Sequence, residues 1–242
     1  MNCCIIIVLL LLLQFATSSN NIPEDFTLNG YLKLDGTAKL RSNGLFTHND
    51  YESQAKGHAF SNFPIQFKNS SNASVISFST TFIFAIVPEY PKLSGHRIAF
   101  IISPNKEIPG ALPSQYLGLF NETNMGSSSN HIFAVELDTV YSSEFDNVND
   151  NHVGIDINGL DPIKSALADY FADQNGAFRN LSLISGDPMQ VAVKRVAHDS
   201  RQGLKEFVAE IATIGRLRHP NLVRLLMDLK PLFKSYMSVT GF

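Results

Sequence analysis

Tryptophan is absent from the 242 residues, and cysteine occurs only twice, as Cys3 and Cys4. Two adjacent cysteines at the extreme N-terminus leave the body of the chain without a disulfide framework or thiol chemistry. Charge is sparse as well. Asp, Glu, Lys and Arg make up 17% of the residues against 44% hydrophobic, a composition that excludes intrinsic disorder and suits a packed core. Beyond Leu13 no apolar run approaches the roughly 20 residues that a membrane-spanning helix requires.

What charge there is divides unevenly. Residues 1–190 hold 10 basic and 18 acidic side chains, a balance of −8, whereas residues 191–242 hold 9 and 4, a balance of +5. Opposite signs in the two parts suggest segments of different origin. The basic part spaces its cations along an amphipathic helical pattern, so a solvated helix is expected there and no nucleic-acid partner.

Residues 5–13 form an unbroken apolar run followed by Gln14 and the small stretch Ala16-Thr17-Ser18-Ser19. A run this short suits the core of a secretory signal peptide over residues 1–19, although no Lys or Arg precedes it. Acceptor sequons at Asn69, Asn72, Asn121 and Asn180 agree with export through a glycosylating compartment. The expected location is extracellular.

Residues 75–87 are rich in β-branched and aromatic side chains up to Pro88, residues 97–103 form a shorter apolar strand, and residues 132–140 alternate in polarity. Residues 108–116, with Pro109, Gly110 and Pro113, read as a loop. Many short strands without helical periodicity predict an all-β sandwich or barrel. From residue 201 to 217 the texture changes: Leu204, Phe207, Val208, Ile211 and Ile214 fall at the period of an amphipathic helix that His219-Pro220 ends. Residues 228–242 carry no readable pattern and are expected to be an unstructured tail.

One cluster carries chemistry. In the strand around Val135, side chains alternate between faces, so Glu136 and Asp138 share one face while Phe133, Val135 and Leu137 share the other. Fourteen residues after Asp138, beyond an Asn/Asp-rich loop, His152 opens a second alternating strand. Two carboxylates and an imidazole on neighbouring strands can hold a transition metal, and the oxygen-rich loop can add ligands for calcium. The alternative is a solvated acidic face with a surface histidine, and residue chemistry leaves both open.

The segment HIFAVELDTVYSSEFDNVNDNHVGIDIN at residues 131–158 resembles the metal-binding hairpin of legume-type lectins, in particular the lectin domains of plant lectin receptor kinases. So do FTLNGYLKLDGTAKL near the start, GHRIAFIISP at 95–104, PGALPSQYLGLFN at 109–121 and FRNLSLISGDPMQV at 178–191. The resemblance implies a jelly-roll β-sandwich over residues 24–190 with adjacent Mn²⁺ and Ca²⁺ sites. Glu136, Asp138 and His152 would serve the first, with Asp138 shared. Asn147 stands where the family has a carboxylate bridging both ions; an amide supplies a neutral oxygen, so both sites are expected to be weakened. Val140, through its carbonyl, and Ser142 would complete the calcium loop. For sugar, the resemblance points to His96, Ser142 and Ser114–Gln115 as the positions of the family's Asp, Asn and glycine amide. None of the three matches, which predicts impaired sugar binding. Glycans or glycoconjugates are the implied partners, with a hydrophobic small ligand and a second copy on the back sheet as further ones.

From Val191 the sequence instead resembles the small lobe of a protein kinase. Val191-Ala192-Val193-Lys194 is similar to the strand bearing the phosphate-contacting lysine, and Glu210 would be that lysine's partner. RHPNLVRLL at 218–226 fits the next strand, giving a short α+β fragment over 191–227. No glycine-rich loop, H-R-D or D-F-G motif accompanies it, so neither catalysis nor ATP binding is expected from Lys194 and Glu210. The sequence thus reads as an incomplete lectin-like sandwich, its last strands missing, joined to an inactive kinase remnant. A non-functional truncated product and a receptor kinase signalling component are the alternatives, the plasma membrane being the place of the presumed parent.

Overall fold

In a computed structural model of the chain the described residues are 5–8, 12–14, 26–27, 32–40, 45–48, 55–62, 78–88, 97–145, 149–171, 178–196, 222–223, 226–227 and 234–241. They are built from strands, with single 3₁₀ turns at Ser114–Tyr116, Ser128–Asn130 and Ser143–Phe145. The helix expected at 201–217, with Glu210, lies outside the described residues, as do His96, Asn147, Asn69 and Asn72. Among the described residues no helix is long and apolar enough to cross a membrane.

A four-stranded antiparallel sheet runs in the order Lys164–Leu167, His152–Ile157, Phe133–Asp138, Ile98–Ile102. Its register brings Asp138 opposite His152 and Glu136 opposite Gly154. Leu137 pairs with Ile98, so the next step places Arg97 beside Asp138. The far end of the central pair is locked by Asn158, held at φ 60°. Its side-chain oxygen accepts from Ile132 N at 2.9 Å and its own N–H donates to Ile132 O at 2.8 Å.

The second, nine-stranded sheet centres on Phe78–Ile86. One edge of that strand pairs along its length with Met189–Val196, which pairs in turn with Lys234–Gly241. Its other edge pairs with Ile5–Val8 and Leu12–Gln14. Phe82, Phe84, Ile86, Met189, Val191 and Val193 are buried and meet Ile98, Val135, Leu137 and Val153 of the first sheet in one core. Phe82 stacks on Phe100 across the two sheets at 5.8 Å between ring centroids. This is a β-sandwich, held by apolar burial from both inner faces.

Two boundaries differ from expectation. The border between residues 190 and 191 falls inside a single strand, because Met189, Val191 and Val193 alternate onto the core as a sandwich strand requires. Lys194 is one step of that ladder, its backbone set between Ser79 and Tyr236. Residues 234–241, expected to have no regular structure, form the strand beside it and cover its outer edge.

Candidate metal centre

The central strand pair of the four-stranded sheet, Phe133–Asp138 and His152–Ile157, is buried on both faces. Its inner face is apolar, as the alternation requires. Its outer face carries a second apolar cluster of Leu119, Phe120, Ile132, Ala134, Phe145 and Leu160 beneath the loops, and beside it the ionisable groups. Glu136, Asp138, His152 and Asp156 each have 0% exposure, which excludes the solvated acidic face.

Burial makes every unmatched charge expensive. Arg97, with a side chain only 1% exposed, donates from Nε to Asp138 Oδ2 at 2.7 Å and from Nη1 toward Glu136 Oε2 at 3.4 Å. Its guanidinium lies 5.5 Å from the centroid of the Phe145 ring, which seats it from below. Asp138 Oδ1 accepts from Val140 N at 2.8 Å, fixing the first turn of the following loop.

His152 is oriented by its other nitrogen. Nδ1 lies 2.7 Å from the carbonyl oxygen of Asn149; a carbonyl only accepts, so Nδ1 carries the proton and Nε2 faces the carboxylates. Nε2 is 3.5 Å from Glu136 Oε1 and 3.7 Å from Asp138 Oδ2. Among the described residues neither Nε2 nor Glu136 Oε1 has a hydrogen-bond partner. A lone pair aimed at two carboxylates is tenable only with a proton or a cation between them. One ligand atom from each of the three residues lies within 4.8 Å of the others, and buried, unpartnered donors of this type are the set a divalent transition ion takes. The residues fit such an ion.

The electrostatics agree. Burial pushes the Asp138 carboxyl up to about 6, against the pull of Arg97. Burial lowers the His152 imidazole, but the adjoining Glu136 and Asp138 carboxylates outweigh it, so its net shift is upward. Asp156, on the same face, is raised well above the ordinary carboxylate range by burial and then by the charge of Glu136. Both its oxygens lack a hydrogen-bond partner among the described residues.

Several of these residues had no sequence signal of their own. Arg97 precedes its strand and meets Asp138 only through a pairing that the sequence does not reveal. Asp156 shares the face of His152 by simple alternation and could have been found that way. Gly154 looks like a weak strand residue, but a Cβ there would come within 2.7 Å of Glu136 Oε1; the glycine is the space in which that carboxylate lies. Asn151 ties the site strand to the next segment, donating from Nδ2 to Leu181 O at 2.8 Å and accepting from Leu183 N at 2.9 Å.

The positions expected to meet sugar are only partly described. Ser142 is half-buried, and its carbonyl accepts from Phe145 N at 3.3 Å. Ser114 and Gln115 lie in a 3₁₀ turn, Ser114 at φ 60°. That turn approaches the metal-side loop where Tyr116 packs edge-on against Phe145, 6.3 Å between centroids. Tyr141, between Val140 and Ser142, is 59% exposed.

A two-layer antiparallel sandwich with a buried carboxylate–imidazole cluster that could hold an ion at one end of a strand pair is the arrangement of a lectin-type β-sandwich. The chain belongs to the legume lectin domain family, whose model matches residues 21–242. It is 46% identical over 213 residues to probable L-type lectin-domain containing receptor kinase V.3 of Arabidopsis thaliana, covering 88% of this chain and 31% of that protein. It is 52% identical over 162 residues to L-type lectin-domain containing receptor kinase IV.1 of the same plant, covering 67% and 24%. The chain therefore spans about a third or less of the length of these relatives. Among solved structures, the lectin I from Ulex europaeus in complex with the methyl glycoside of α-L-fucose superposes with a TM-score of 0.52 at 18% identity, over 97% of this chain and 92% of that one; this likeness shows the fold. Legume lectins bind Ca²⁺ and Mn²⁺, and the lectin domain is non-enzymatic.

Proposed function

We propose that this chain is an extracellular carbohydrate-binding module whose glycan site lies where the loop after Asp138 meets the 109–121 loop. The observation that carries it is the buried pair Glu136 Oε1 and His152 Nε2 beside Asp138, unpartnered among the described residues, at the base of the loop that bears Val140, Tyr141 and Ser142. Glu136, Asp138 and His152 would hold the transition ion. Asp138 with the Val140 carbonyl and Ser142 would face calcium, and Asn147 in place of a carboxylate would weaken both. When bound, the ions would supply positive charge that fixes that loop for sugar. His96, Ser114 and Gln115 are the remaining candidate sugar contacts. A binding array of mixed glycans, run with the full chain in millimolar Ca²⁺ and Mn²⁺ and again in chelator, tests this. Ion-dependent retention of some glycans supports it; equal retention in both buffers, or none in either, removes it.

Export by residues 1–19 and glycosylation belong to the same reading. Asn180 is exposed, whereas Asn121 is part-buried and donates from Nδ2 to Gly110 O at 3.0 Å, so Asn180 is the better-presented acceptor of the two. Mass spectrometry of secreted material should find glycan on Asn180 ahead of Asn121. The kinase-like residues from Val191 are assigned no catalytic part, which is supported by the absence of phosphate-loop, base and metal motifs from the sequence. The names of the relatives, lectin-domain containing receptor kinases, support a role as the recognition part of a receptor, with the plasma membrane the place of the presumed parent.

A further inference from the structure

The residue in closest contact with the acidic cluster is itself a cation. Arginine stays charged inside proteins, and Arg97 is buried with Nε 2.7 Å from Asp138 Oδ2 and Nη1 3.4 Å from Glu136 Oε2. Its fork therefore spans two of the three candidate metal ligands. The oxygen it grips, Asp138 Oδ2, is also the one 3.7 Å from His152 Nε2. A divalent ion entering among Glu136, Asp138 and His152 must share that oxygen with the guanidinium and stand close to a fixed positive charge in a water-poor site. Phe145 beneath the guanidinium, 5.5 Å from its carbon to the ring centroid, limits its retreat on that side.

We propose that Arg97 is a built-in counter-cation of this site: it holds Asp138 and Glu136 in place without metal and sets the chain's affinity for divalent ions low. Without an ion, the guanidinium offsets the charge of two buried carboxylates. With an ion, it is a like charge across a shared carboxylate. The domain would thus keep its carboxylates in place and stay folded at low divalent concentration, and load metal, and with it the ordered sugar loop, only when the ion is abundant. The inference rests on the cation reading of the site but predicts something that reading does not: removing a positive charge should tighten metal binding rather than merely damage the fold.

Calorimetric titration of the full chain with MnCl₂, for wild type, Arg97→Gln and Arg97→Lys, decides it. Arg97→Gln is expected to bind Mn²⁺ at least tenfold more tightly than wild type, to melt several degrees lower in chelator and to recover with Mn²⁺. Arg97→Lys keeps the charge on a slimmer side chain and is expected to stay within about threefold of wild type; a purely steric block would be relieved in both variants. A folded Arg97→Gln that binds no more tightly overturns the proposal, as does an Arg97→Lys as tight as Arg97→Gln. Should Arg97→Gln fold only in Mn²⁺, that rescue supports the proposal, and the lysine variant still tests it. The triple-ligand site is checked separately by Glu136→Ala. Mn²⁺ binding equal in wild type and Arg97→Gln but lost in Glu136→Ala leaves the cation reading standing and removes Arg97's part; no Mn²⁺ binding in any chain removes both.

Discussion

The two faces of the central strand pair in the four-stranded sheet are both shielded from water, yet they are stabilised in different ways. On the inner face Val135, Leu137, Val153 and Ile155 are buried among apolar side chains, and burial itself is the favourable term. On the outer face Arg97, Glu136, Asp138, His152 and Asp156 are just as buried, and for them burial is a cost that pairing must offset. The same strands carry both faces because alternation sends successive side chains in opposite directions. A truncation should therefore be costly on the inner face and insensitive to ions, whereas on the outer face the effect of a change should depend on protons and metal.

The largest expected effect is on the inner face. Leu137, at 0% exposure, should lose about 2–5 kcal/mol on replacement by alanine, measured by urea unfolding, with the same loss in chelator and in Mn²⁺. A loss that Mn²⁺ erases would mean the two faces are not separable.

The next concerns pH. Asp138 titrates near 6 in the fold against 3.8 ordinarily, so folding favours its protonated form. Its contribution is full below about pH 4 and is lost as pH rises through about 6, a change of about 3 kcal/mol at most. His152 is also raised, from 6.5. Its protonated form is likewise favoured in the fold, and that contribution fades above its folded value. In chelator the melting temperature should therefore fall between pH 4 and the neutral range, and Mn²⁺ should reduce the fall by replacing the lost protons. A melting temperature that climbs over the same range would contradict this sign.

The smallest expected effect sharpens the contrast most. Asp156 is fully buried with neither oxygen partnered among the described residues. Replacing it by valine should be neutral or stabilising by about 1 kcal/mol in chelator, the opposite of a truncation on the inner face. Urea unfolding of Asp156→Val beside Leu137→Ala reads both signs. A loss above about 2 kcal/mol would show that Asp156 makes a contact its geometry does not reveal.

Which of these features could be read in the sequence follows from their range. Alternation is local, so the strands around Val135 and Ile155, and the common face of Glu136 and Asp138, were legible. The motif resemblance supplied the sandwich and the partnership with His152. Pairing is not local. Nothing in GHRIAF says that Arg97 will reach Asp138, and nothing in HVGID says that Gly154 clears space for Glu136. The charge shift at residue 191 suggested a new domain, yet Val191 and Val193 have the period-2 pattern that any sandwich strand needs. Texture suggested a change of origin there, while the pattern of burial continues the sandwich through residues 189–193.

The central claim is that the charged face is balanced from within by Arg97, so that the fold does not depend on metal. The most direct test is the melting temperature of the wild-type chain at neutral pH in excess chelator and in millimolar Mn²⁺. For a domain of this size each kcal/mol shifts the melting temperature by roughly 2–4 °C. The account predicts a cooperative transition in chelator, raised by no more than about 4 °C in Mn²⁺. A chain that is unfolded in chelator, or gains 10 °C or more from the ion, would contradict it.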